Sequence, residues 1–200
     1  MAGPDRYTHY PRAILWLVRG GEATIGGEAV SVEPFYLSKL PITNDQYEAF
    51  DPAFERGAQS AGNDGAAVGV GFEQARGYCQ WYARVSRKPM RLPTEVEWEY
   101  ACRAQTTSRY FFGDSARDAD RYVWHAGNST DRVPALHEAR PNPFGLHSML
   151  GGVWEWTASR VLRGGSYRTP LEDIDCGLRR ACEPGHAAGD VGFRVARSLK

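Results

Sequence analysis

The sequence predicts an α+β fold, with two helices packed on short antiparallel strands and much irregular structure. Three observations carry that prediction. Two stretches in the first half combine helical spacing with helix-start signals, and nothing after Ala104 does. The second half breaks into turns and short strand-like runs around the pairs Gly151-Gly152 and Gly164-Gly165. Finally, 22 Gly and 12 Pro stand beside 6 Trp, 10 Tyr and 8 Phe, the composition of tight loops held by ring packing.

Taken in order, residues 1–12 are polar, carry two Pro and read as a flexible arm; residues 13–200 read as a single domain. Ala13 to Val18 is an apolar run expected as a buried strand. Glu22 to Val32 alternates around Gly pairs and reads as a hairpin whose second strand continues through Phe35, Tyr36 and Leu37. Thr43 followed by Gln46 is a capping box, placing a short helix from about Asn44 to Phe50 with Tyr47 and Phe50 as its apolar contacts. Asp51 to Val70 has weak patterning and reads as a loop. Gly71 to Ser86 is the clearest helix, with Phe72, Ala75, Cys79, Tyr82 and Ala83 on one face and Trp81 off it. Pro93 and the capping box of Thr94 and Glu97 start another helix running to about Ala104, its first turn rich in Glu. Loops follow from Tyr110 to Pro143. Strands are then expected at Val153 to Thr157 and Arg160 to Tyr167, with a last one at Gly192 to Arg197.

Charge is balanced, with 24 Lys and Arg against 24 Asp and Glu, so no overall field favours nucleic acid or an anionic membrane. No apolar run is long enough to span a bilayer, and Ala13 to Val18 is too short for a secretory core, so a cytoplasmic location is expected. Cys79 and Cys102 fall in helical stretches and read as small buried hydrophobes. Cys176 and Cys182 leave a disulfide or a soft-metal pair open, with reduced thiols expected in the absence of an export signal. The five His are scattered through loops without zinc-like spacing and are expected to face solvent.

Glu155, between Trp154 and Trp156, is the candidate metal ligand. A carboxylate beside Gly-rich turns with free carbonyls suits calcium, and an ion pair with Arg160 or Arg163 is the competing reading. Strand alternation would put both indoles on one face and Glu155 on the other. Ser166 and Tyr167 follow a Gly pair and either approach a ligand closely or merely cap a tight strand start. The charged stretch Arg168 to Val191 is either a binding rim or solvated surface.

Five blocks, in order, resemble the formylglycine-generating enzyme and sulfatase-modifying-factor superfamily: FYLSKLPITNDQYEAF, MRLPTEVEWEYACRA, FGLHSMLGGVWEWT, RVLRGGSY and GFRVAR. The resemblance implies that superfamily's variant of the C-type lectin fold. In the oxidase it also implies two copper-binding Cys, the first two positions past the Tyr of the GGSY block. Here Thr169 takes that place and Asp175 lies near the second, while Cys176 and Cys182 have five intervening residues rather than four. Copper is therefore not expected. Gly152 replaces an Asn usual before the WEW block, and only Thr157 to Leu162 separate that block from RGGS. The iron-binding His of related sulfoxide synthases have no counterpart.

The resemblance thus implies a non-catalytic module that binds a protein or peptide, with no nucleic-acid or membrane partner. Segment 168–191 would be its display surface. Trp156, Ser166, Tyr167, Arg168, Arg179, Arg180 and Glu183 are the expected binding residues, and no catalytic residue is assigned. The alternative is a divergent metal-dependent oxidase or tailoring enzyme acting on a thiol or peptide.

Overall fold

The structure is a computed structural model that describes residues 12–183 and 185–199. The expected arm over 1–12 lies outside these residues except for Arg12. Four strands open the described chain: β1 (Leu15–Val18), β2 (Gly21–Ile25), β3 (Glu28–Val32) and β4 (Phe35–Ser38). The helices are α1 (Asn44–Glu48), α2 (Phe72–Ser86) and α3 (Glu95–Arg103). Five short strands complete the fold: β5 (Trp154–Trp156), β6 (Val161–Arg163), β7 (Arg179–Ala181), β8 (Val191–Phe193) and β9 (Ala196–Ser198).

Local sequence explains most of these boundaries. Thr43 and Thr94 each accept a hydrogen bond from the backbone N–H three residues on, and the side chains of Gln46 and Glu97 accept from the backbone N–H groups of Thr43 and Thr94, so both expected capping boxes form. The β2–β3 hairpin turns at Gly26 and Gly27, whose φ values of 61° and 86° suit the tight turn that matches strand twist. The expected continuation of its second strand into Phe35 is broken. Pro34 has no N–H to offer a ladder, and β4 leaves β3 to pair antiparallel with β1.

Among the described residues there are three sheets, ordered β1-β4-β9, β2-β3 and β7-β6-β5-β8. Within the last, β5 and β8 run parallel, with Glu155 opposite Gly192, and the other pairs are antiparallel. The expected single strand from Gly192 to Arg197 is two strands. β8 joins β5 and β9 joins β4, with Arg194 at the crossing between the sheets. β7 forms within the charged 168–191 stretch, where no strand was expected.

The core lies in two large clusters. One gathers Tyr47, Tyr78, Trp81, Trp156 and Phe193 around α2 and the β5–β8 pair. Trp81, off the main apolar face of α2, is buried by packing on Phe50 in the turn after α1 and on Tyr78. The other gathers Trp98, Cys102, Met149, Ile174 and Cys176 around α3 and β4. Gly164, at φ 91°, allows this second cluster to close, because a Cβ there would lie 2.9 Å from both Met149 O and the Trp98 ring. No helix among the described residues is long and apolar enough to cross a membrane.

Candidate functional site

β5 carries Glu155 through the middle of the four-stranded sheet, where strand alternation gives no exposed face: Trp154, Glu155 and Trp156 are all buried. Glu155 Oε2 accepts from Arg194 Nε at 2.6 Å and from Trp98 Nε1 at 2.7 Å, and Oε1 accepts from Arg194 Nη2 at 2.7 Å. Arg194 also donates to the carbonyls of Ser38, His147 and Ser148. This is a bidentate, charge-assisted pair. Both carboxylate oxygens of Glu155 are engaged by Arg194, the geometry of the ion-pair reading that competed with calcium. These oxygens face a guanidinium and an indole N–H, which would repel a cation, and no group of three or more His, Cys, Asp or Glu able to hold a metal occurs among the described residues.

The ion-pair reading holds with a different Arg. Arg163 stands opposite Glu155 in the β5–β6 register, yet its guanidinium lies over the Trp98 ring at 5.6 Å and pairs with Glu99. Trp98 touches both groups and keeps them apart. Arg160, in turn, reaches Glu73 at 3.4 Å.

Beyond β6 the chain turns through Gly164 and Gly165 into Ser166, Tyr167 and Arg168. Ser166 Oγ donates to Asp190 Oδ2 at 2.7 Å, and the Ser166 N–H donates to Thr169 Oγ1 at 2.9 Å. Ser166 is buried, so its hydroxyl ties the turn to Asp190. Tyr167 is fully buried, and its hydroxyl has no partner among the described residues. Burial pushes this phenol's pKa up; Arg168 opposes the shift, and Asp131 and Asp190 add to it. Arg168 is exposed, lies 5.0 Å over the Tyr167 ring and gives Nε to Asp131 at 3.0 Å.

Arg179 and Arg180 are exposed on β7, and Glu183 follows them, also exposed. Arg179 Nε donates to Glu95 Oε2 at 3.1 Å, and Arg180 lies 5.9 Å over the Trp154 ring. Trp156 corrects the expectation of a reachable binding residue. It is fully buried against Phe72, with its N–H donated to Val70 O.

The cysteines do not behave as a 176–182 pair. Cys176 is fully buried and lies against Cys102, whose thiol pKa is held well up by burial and then by contact with Cys176. Cys182 is partly exposed and packs against the other cluster. Cys79 is buried, as expected, and burial pushes its thiol up to about 12. His125 departs from the solvent-facing expectation: it is buried, with Nε2 3.0 Å from Asp120.

Sequence reasoning missed three participants. Asp131 and Asp190 meet the turn only through the fold, and Arg194, the actual partner of Glu155, lay unremarked in the last expected strand.

Residues 4–199 match the family described as sulfatase-modifying factor enzyme 1-like domain. The formylglycine-generating enzyme of Streptomyces coelicolor is 31% identical over 169 residues, covering 64% of this chain and 51% of that protein. The inactive C-alpha-formylglycine-generating enzyme 2 of Bos taurus is 31% identical over 153 residues, covering 64% of this chain and 49% of that protein. The serine/threonine-protein kinase pkn1 of Chlamydia caviae is 31% identical over 159 residues, covering 66% of this chain and 24% of the kinase. The match thus spans a quarter to a half of these relatives' own lengths. Among solved structures, Treponema denticola variable protein 1 superposes with a TM-score of 0.83 at 19% identity, covering 92% of this chain and 94% of that one. PvdO from Pseudomonas aeruginosa superposes at 0.82 and 20%, with the same coverage. At such identities these two show a shared fold.

Proposed function

Because the chain belongs to the sulfatase-modifying factor enzyme 1-like domain family, we propose that it is a non-catalytic module that binds a protein or peptide through segment 168–191. One observation carries this reading: Cys176 is sealed in one core cluster while Cys182 packs on the other. Two-coordinate copper chemistry needs two thiolates brought together within reach of a substrate. Cys102, the thiol that does lie against Cys176, is fully buried as well.

The surface is suited to recognition. β7 exposes all three of its residues, whereas β5, β6 and β8 are buried throughout. Charged side chains at such a rim set specificity and association rate more than raw affinity. Two relatives add weight: one is named as inactive, and another is named as a kinase of which the shared segment is a quarter.

The test compares partner capture by the natural chain with capture by a variant carrying Arg179→Ala, Arg180→Ala and Glu183→Ala. Capture should be lost while the melting temperature is kept. A second arm titrates copper(I) against a competing chelator under reducing conditions. Tight one-to-one binding that disappears in Cys176→Ala and Cys182→Ala, or turnover of a thiol-bearing peptide, would replace this reading with the divergent oxidase.

A further inference from the structure

Beside β7 lies a groove of about 380 Å³ between α3, the β2–β3 turn and the end of β6. Its polar wall is unusual. Arg163, Arg103 and Arg179 line it together with Glu95 and Glu99, leaving one positive charge in excess. Glu99 is fully engaged, paired with Arg103 at 2.8 Å and with Arg163 Nη2. Arg163 is not. Its side chain is only 2% exposed, yet its Nε has no partner among the described residues and its Nη1 comes no nearer to Glu95 than 3.8 Å. A buried guanidinium with donors left over is costly unless something accepts from them.

Glu95 is the weak point of this network. One of its oxygens is shared between Arg163 and the exposed Arg179, and the other accepts from Ser159 Oγ at 2.7 Å. An incoming carboxylate could take the Glu95 position between the two guanidiniums, where fork-shaped donors bind carboxylates well. The remaining walls are apolar: Ile25 closes one side, and Val96 is exposed to 37%. β7 is the edge strand of its sheet, so an extended peptide can lie alongside it.

We propose that this groove binds the side-chain carboxylate of an acidic peptide, held by Arg163 and Arg179 in competition with Glu95. The inference rests on the reading of 168–191 as a binding surface and gives that surface a ligand class.

The experiment titrates the full chain at low ionic strength with a short fluorescent oligo-glutamate peptide, using oligo-glutamine as control. Oligo-glutamate should bind and oligo-glutamine should not. Arg179→Ala should weaken binding by about three- to tenfold, the range for one charge-assisted contact at a partly exposed site. Glu95→Gln should tighten binding by about threefold or more, because it removes the internal competitor. Arg121→Ala, an exposed arginine that does not line the groove, should leave it unchanged. A purely structural ion-pair network predicts no tightening in Glu95→Gln. Equal binding of both peptides, or indifference to both Arg179 and Glu95, would overturn the assignment. So would saturation by inorganic phosphate where oligo-glutamate fails to bind. If a partner is captured through Arg180 and Glu183 but is indifferent to Arg179→Ala and Glu95→Gln, the surface stands and the groove falls.

Discussion

Replacing Glu155 by Gln tests the centre of the fold. The carboxylate is 1% exposed and Arg194 is 0% exposed, so neither can turn to water when the other is lost. Gln keeps one acceptor oxygen but turns an amide N–H₂ toward an arginine donor. The guanidinium is then left with the carbonyls of Ser38, His147 and Ser148 and no counter-charge. Breaking a buried pair from one side costs about 3–5 kcal/mol. For a domain of this size that corresponds to a fall in melting temperature of roughly 6–20 °C. Urea unfolding should show a lower midpoint with an unchanged slope. Arg194→Met should cost a similar amount, and the double variant should be about 2 kcal/mol or more less destabilised than the two singles added, because no lone charge remains. A single-variant cost under about 1 kcal/mol, or simple additivity, would refute the pairing. Chelating calcium should leave the melting temperature of the natural chain unchanged; a fall would restore the metal reading of Glu155.

Trp98→Ala should cost about 3–5 kcal/mol, since the ring is fully buried and holds both Glu155 and Arg163; urea unfolding measures it, and a loss under about 1 kcal/mol would refute the packing. Gly164→Ala adds a Cβ at positive φ within 2.9 Å of a backbone oxygen, so it should cost about 2–4 kcal/mol and lower the melting temperature more than Gly26→Ala, where nothing lies within 4 Å. Glu97 supplies the pH dependence. Burial pushes its carboxyl up, but hydrogen bonds from Arg91 and Thr94 and the Arg91 charge bring it below its ordinary value of 4.5. A depressed carboxylate stabilises the fold above that value and stops doing so as pH falls through the lower, folded value. Acid titration followed by circular dichroism should therefore show Glu97→Gln losing less stability than the natural chain below about pH 4.5.

Local chemistry made the helices legible. Capping boxes act over three residues, and α2 carries an apolar face along its whole length, so both features are written in adjacent letters. What could not be read depends on distant pairing. The partner of Glu155 is 39 residues away, while the two nearby candidates are claimed elsewhere, Arg160 by Glu73 and Arg163 by a helix 64 residues earlier. The last strand divides because its two halves serve different sheets, which alternation within six residues cannot reveal. β7 has no apolar pattern because all three of its residues face outward. Of the expected site, Ser166, Tyr167 and Arg168 do gather at one turn. Trp156 was misjudged because a sheet covered on both faces hides every residue of its central strand.

The contrast between β7 and the three strands beside it has a practical consequence. Side chains at 179–181 hang from a sheet whose stability is supplied elsewhere, so their identities are thermodynamically cheap to exchange. Randomising them should yield libraries in which most members still fold, and new specificities could be selected without first repairing the scaffold.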